Sequence, residues 1–119
     1  MVRIVLIDDD AVSSFVTEKF IQKNIKQPFK IFKFTSASEA LKEIYAIKPS
    51  YLFVDLIMPQ MTGWDFLENL DEKSMETEIY ILSSTVDEQE LRKVAFCQKV
   101  KKFLPKQTVK HSIEDIFSS

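Results

Sequence analysis

One glycine, one cysteine and one histidine are all that the 119 residues contain. The lone Cys97 excludes an intrachain disulfide and a cysteine-based metal site, and it fits a reducing, cytoplasmic compartment. The lone His111 lies near the C-terminus among polar residues, is read as a surface residue, and cannot supply a His-rich metal site. No stretch approaches the ~18 consecutive apolar residues of a membrane span. Met1, Val2, Arg3, Ile4 and Val5 run straight into a strand pattern, so a signal peptide is not expected. Charge of one sign is also scarce: the net charge is −2, which gives no strong field for nucleic acid. The local cluster Lys99, Lys101, Lys102, Lys106 and Lys110 is read as solvated surface.

What is present is ordinary globular composition, 45% hydrophobic and 29% charged, in a length that suits one domain over residues 1–119. Val2 to Ile7 is a β-branched apolar run that stops at three acids, Asp8, Asp9 and Asp10, as a parallel strand buried on both faces would. From residue 11 to about residue 26 the spacing becomes helical, with Val12, Val16 and Phe20 forming the inward stripe and Phe15 and Ile21 flanking it. Asp10 is the expected helix cap. Residues 29–34 alternate as a second strand. A helix follows, capped by Ser36 or Ser38, with Ser36 and Glu39 at capping-box spacing and Ala40, Leu41, Ile44 and Ile47 inward. Residues 51–54 form a third strand, residues 62–72 a third helix with Phe66, Leu67 and Leu70 inward, and residues 78–82 a fourth strand. A fourth helix is expected from about Asp87, with Leu91, Val94 and Ala95 on one side. Residues 101–104 read as the fifth strand and residues 109–117 as the last helix, with Val109, Ile113, Ile116 and Phe117 inward. Strands alternating with helices imply a parallel sheet covered on both faces, because right-handed crossovers put the helices there.

In such a sheet every strand ends at the same edge. Asp8 and Asp9 arrive there from the first strand, Asp55 from the third, Ser83 from the fourth and Lys106 from just after the fifth. Close carboxylates repel one another unless a cation is present, and hard oxygen ligands with room for water suit Mg²⁺. One carboxylate can then act as a nucleophile, while a hydroxyl and an ammonium neutralise the oxygens of a transferred phosphoryl group.

This ordered set resembles the receiver domains of two-component response regulators, the CheY-like family, over essentially the whole chain. The residues that carry the resemblance are Asp8 and Asp9, Asp55, the pair Met58 and Pro59 with Gly63 beyond it, Ser83, and Lys106. The resemblance implies a flavodoxin-like (βα)5 three-layer sandwich with a parallel sheet of order 2-1-3-4-5. It implies phosphorylation of Asp55 by a sensor histidine kinase or a histidine phosphotransfer protein. It further implies Mg²⁺ held by Asp9, Asp55 and the main-chain carbonyl of Ile57, with Asp8 acting mainly through water. Ser83, with Ser84 beside it, and Lys106 would bind the phosphoryl group. Phe103 stands where the family has its aromatic switch residue, working with Ser83. The surface expected to change is the fourth helix, fifth strand and fifth helix, read by a downstream protein, as a monomer or a phosphorylation-dependent dimer. No output domain fits in this length, so the expectation is a single-domain, cytoplasmic phosphoacceptor rather than an enzyme, contacting neither nucleic acid nor membrane.

Two departures stand out. Gln107 follows Lys106 where the family usually has a proline, commonly after a cis bond, and Pro105 lies one position early. Apolar Ile57, flanking the site with Thr85, cannot orient an attacking water, so spontaneous loss of the phosphoryl group is expected to be slow. Two rivals remain. Asp8 and Asp10 followed by Val12 also resemble the opening of haloacid-dehalogenase-like phosphatases, but that reading leaves Asp55, Met58 and Pro59 unexplained and puts its acidic pair, Glu114 and Asp115, inside an amphipathic helix. A receiver-like scaffold that is never phosphorylated rests only on the missing proline.

Overall fold

A computed structural model describes residues 1–58, 60–70, 76–84, 89, 92 and 99–118. Mostly apolar segments, the central ones buried on both faces, build five parallel strands: β1 (Val2–Ile7), β2 (Phe29–Phe34), β3 (Tyr51–Asp55), β4 (Glu78–Ser83) and β5 (Val100–Pro105). They form one sheet of order β2-β1-β3-β4-β5, a flavodoxin-like arrangement that matches the expected order. Four helices are described: α1 (Ala11–Asn24), α2 (Ala37–Ile47), α3 (Gly63–Asn69) and α4 (Val109–Phe117), the last preceded by a 3₁₀ turn over Lys106–Thr108. Of the helix expected from Asp87, Gln89 and Arg92 are described and helical, while Asp87, Leu91, Val94 and Ala95 lie outside the described residues, as do Pro59, Thr85 and Cys97.

Strand periodicity divides the core into two layers. Val5, Ile7, Leu52, Val54, Ile79 and Ile81 face α2 and α3, where Ala40, Ile44, Phe66 and Leu67 meet them. Ile4, Leu6, Phe53, Tyr80, Leu82 and Leu104 face the other way, onto Ile21 of α1 and Val109, Ile113 and Phe117 of α4. At ~25 cal/mol per Å² of apolar surface, burial on both faces supplies the main favourable term in folding.

Three local expectations are corrected. Helix α1 ends at Asn24, and its buried residues are Ser14, Thr17 and Ile21, with Phe20 of the expected stripe half-buried against the same core, whereas Val12, Phe15 and Val16 are exposed by 72%, 54% and 38%. The helix lies against α4, and the short Ser14 and Thr17 side chains suit a close helix contact better than the bulky stripe would. The capping box at Ser36 and Glu39 does not form: Ser36 holds the N-cap position of α2, but its hydroxyl pairs with that of Ser38 at 2.9 Å. A capping box forms instead on α3, where Thr62 Oγ1 accepts from Asp65 N and Asp65 Oδ2 accepts from Thr62 N, each at 3.1 Å. Helix α3 therefore starts one residue later than expected, and Leu70 is its C-cap, extended at ψ 124°.

Candidate phosphoacceptor site

Register fixes which side chains meet. Ile7 pairs with Phe34 on one side and Val54 on the other, Asp55 pairs with Leu82, and Ser83 pairs with Pro105. Asp8, Asp55, Ser83 and Lys106 consequently stand at one edge, on or just past the ends of four strands. Asp8, Asp55 and Ser83 are all buried, with exposures of 1%, 5% and 1%. Asp9 is exposed. Carboxylate oxygens of Asp8, Asp9 and Asp55 all lie within 4.8 Å of one another.

Each carboxylate is held by its own turn. Asp8 Oδ1 accepts the Asp10 amide at 2.9 Å, and Asp55 Oδ1 accepts the Ile57 amide at 3.3 Å. Asp10 caps α1 as expected, accepting from Val12 N at 2.9 Å and Ser13 N at 3.3 Å. The Lys106 ammonium donates to Asp55 Oδ2 at 3.2 Å and forms an ion pair with Asp8 Oδ2 at 3.1 Å. Asp8 Oδ2 has charge compensation from this pair but no aligned hydrogen bond, although it is buried.

Burial pushes the Asp55 carboxyl from 3.8 up to about 6; Lys106 opposes the rise and Asp8 adds to it. Burial by itself would lower the Lys106 ammonium, but Asp55 and Asp8 outweigh it and the net shift is upward. A buried carboxyl driven up by desolvation and held by one lysine is a group on which a second cation would act strongly. The donor set fits a hard divalent ion: three carboxylates converge, one lies at the surface, and one buried oxygen lacks an aligned donor.

The remaining expected residues take definite places. Ile57 is 62% exposed. Ser84 is exposed, and its carbonyl accepts the Gln107 side-chain amide at 2.8 Å. Phe103 pairs with Ile81 in the sheet and packs, half-buried, against the layer beneath α2 and α3. His111 is exposed, the surface position expected of it. The Lys106–Gln107 peptide is trans. The Gln107 contact and the α3 capping box were not legible beforehand. The second had a signal, since Thr62 and Asp65 stand three residues apart ahead of Phe66 and Leu67.

The model of a family described as the response regulator receiver domain matches residues 4–117. The chain belongs to that family. Receiver domains serve two-component signalling, where histidine kinases and downstream effectors are their partners. Over 91 residues, 76% of this chain, this receiver domain is 32% identical to protein-glutamate methylesterase/protein-glutamine glutaminase 3 of Geobacter sulfurreducens. The shared stretch is only 24% of that protein's length. A two-component response regulator from Legionella pneumophila superposes with a TM-score of 0.81 at 25% identity, covering 99% of this chain and 96% of its own. The Mn(2+)-bound form of response regulator Rcp1 superposes with a TM-score of 0.83 at 14% identity, covering 99% and 93%. Among the described residues, no helix is long and apolar enough to cross a membrane.

Proposed function

We propose that this receiver domain accepts a phosphoryl group on Asp55 from a histidine kinase or histidine phosphotransfer protein and thereby switches a surface read by a downstream protein. The observation that carries the reading is the Lys106 ammonium, 3.2 Å from Asp55 Oδ2 and 3.1 Å from Asp8 Oδ2 at the mouth of a three-carboxylate cluster. In the reaction, an Asp55 carboxylate oxygen forms a bond to phosphorus as the bond from phosphorus to the donor's imidazole nitrogen breaks, and the imidazole leaves with its electron pair. Asp55 must be ionised to attack. Lys106 favours that form and afterwards pairs with a phosphoryl oxygen. Ser83, at the end of β4, offers its hydroxyl to another oxygen, with Ser84 adjoining it. Asp8, Asp9, Asp55 and the carbonyl of Ile57 are the ligands assigned to Mg²⁺, which when bound offsets carboxylate repulsion and the charge on the transferred group. The manganese-bound relative is consistent with a divalent ion in this fold.

The outcome is a phosphoacceptor rather than an enzyme acting on other substrates, a single receiver unit over residues 1–119 working in the cytoplasm. Phosphorylation would draw Ser83 toward the new group and let Phe103 turn inward, altering the β5 and α4 surface together with the segment before β5. The Ile57 side chain is apolar and cannot orient an attacking water, so spontaneous loss of the phosphoryl group is expected to be slow, and a lifetime of seconds would contradict that. The decisive experiment is incubation with acetyl phosphate and Mg²⁺ followed by intact mass. One phosphoryl group should add to the wild type and none to Asp55→Asn. No addition to the wild type, or addition that persists in Asp55→Asn, would overturn the reading.

A further inference from the structure

The backbone ladder joining β4 to β5 ends at the pair Ser83 and Pro105. Proline has no N–H, so it cannot donate to β4 at the place where the two functional strand ends most need a tie. The next tie comes from a side chain: Gln107 Nε2 donates to the Ser84 carbonyl at 2.8 Å. Gln107 is covalently next to Lys106, and Ser84 is next to Ser83. A chain of contacts results, running from Asp55 through Lys106 and Gln107 across to Ser84, the neighbour of Ser83. Both Gln107 and Ser84 are exposed, so this bond fills no core and serves no packing role.

We infer that Gln107 is a positioning residue for the phosphoacceptor site, latching the end of β4 to the turn after β5 and so setting where the Ser83 hydroxyl stands relative to Asp55 and Lys106. The inference rests on the phosphoacceptor reading and adds to it a residue that touches neither the phosphoryl group nor the metal ligands. Among the described residues, the β4–β5 ladder ends at Ser83 and Pro105, and that proline cannot donate. Without the latch, the Ser83 hydroxyl samples more positions, and a phosphoryl group loses part of that contact. The carboxylates are held by other bonds, to the Asp10 and Ile57 amides, so cation binding is unaffected.

The test is calorimetric titration of Mg²⁺ alone, then of beryllofluoride in saturating Mg²⁺, into the full chain. Wild type is compared with Gln107→Met, Gln107→Glu, Ser83→Ala and the double variant Ser83→Ala/Gln107→Met. Methionine keeps the length and removes the donor; glutamate sets an acceptor against the Ser84 carbonyl. A single hydrogen bond of this kind supports a loss of about three- to tenfold in beryllofluoride affinity for both Gln107 variants, with Mg²⁺ affinity within about twofold of wild type. In the Ser83→Ala background, Gln107→Met should add no further loss, because the latch acts through that hydroxyl. Unchanged beryllofluoride affinity in Gln107→Met, a parallel fall in Mg²⁺ affinity, or a full additive loss in the double variant would each overturn the positioning role. Wild-type protein that does not bind beryllofluoride, or Asp55→Asn that binds it equally well, would instead overturn the phosphoacceptor reading on which that role rests.

Discussion

Gly63 lies so close to Asp55 that a Cβ added to it would meet the Asp55 carbonyl oxygen at 2.7 Å and the Leu56 Cα at 3.0 Å. The Gly63 amide also donates to the Leu56 carbonyl at 2.8 Å, so α3 begins in direct backbone contact with the end of β3. The chain's one glycine is needed here for proximity, since its φ is not positive. Gly63→Ala must push α3 or the β3 end aside, and both obstacles are backbone. Overpacking of this sort costs about 1–3 kcal/mol, against which alanine returns at most ~1 kcal/mol of helix preference. The expected net loss is roughly 1–2 kcal/mol in urea unfolding, with weaker Mg²⁺ binding because the Asp55 turn moves. A variant as stable as wild type would mean that the close approach is relieved at no cost.

Lys106 is the counter-charge for two buried carboxylates, and its side chain is itself only 19% exposed. Lys106→Met leaves Asp8 and Asp55 facing each other. Removing one partner of a buried charge cluster is costly, here about 2–3 kcal/mol at pH 7 without divalent ions. The same change makes the site more negative, so Mg²⁺ should bind several-fold more tightly and recover part of the lost stability through linkage. Thermal melts with and without Mg²⁺ read both effects. Mg²⁺ that stabilises wild type and variant equally would show that the ammonium and the cation do not compete for these carboxylates.

The raised Asp55 carboxyl gives a pH dependence of definite sign. Its value is about 6 in the fold against 3.8 ordinarily. Between about pH 4 and pH 6 the unfolded chain has released this proton while the folded chain keeps it. The folded state then binds more protons, so its contribution to stability falls as pH rises through that window. Asp55→Asn removes the effect, so the wild type minus variant difference should decline by roughly 2 kcal/mol from pH 4 to pH 6.5 in the absence of metal. Mg²⁺ demands the ionised carboxylate and should flatten or reverse the slope. Lys106 acts at the other extreme: its value is raised above 10.5, so the stability it contributes is present below that pH and is lost as pH climbs past the folded value. A difference that rises from pH 4 to pH 6.5 would contradict the Asp55 assignment.

Some of this was legible in the sequence for a simple reason. Strand periodicity is short-range, and once strands are parallel their C-terminal residues share an edge, so Asp8, Asp55, Ser83 and Lys106 could be placed together before any contact was known. The inward face of α1 was not legible in that way. Val12, Val16 and Phe20 satisfy helical spacing as well as any core stripe does, but the face is chosen by fit against α4 and the sheet: Ser14, Thr17 and Ile21 are buried there, Phe20 packs half-buried beside them, and Val12 and Val16 stay exposed. The Ser36 box failed because a hydroxyl with two nearby partners chose Ser38, a competition that spacing does not reveal. The Gln107 latch depends on where the Ser84 carbonyl ends up, 23 residues away in sequence.

The misread face of α1 yields the last prediction. Val12 and Phe15 lie in the first turns of a helix whose cap, Asp10, adjoins the site acids, and they remain exposed, with Val16 beside them and the Lys19 ammonium 5.2 Å from the Phe15 ring centre. If Asp55 is phosphorylated as proposed, this cluster of large apolar side chains left in water beside the site would serve as a contact surface for a protein donor of the phosphoryl group. Phe15→Ala should therefore change stability by less than about 0.5 kcal/mol, whereas Ile21→Ala, at a fully buried position, should cost about 2–4 kcal/mol. Phe15→Asp places a charge on the patch and should slow phosphoryl transfer from a phosphohistidine protein by about tenfold or more, the penalty of burying an unpaired carboxylate at an interface. Acetyl phosphate is too small to use the patch, so its rate should not change. Loss of both rates together would place Phe15 in the support of the site itself, and loss of neither would leave the patch without a part in donor recognition.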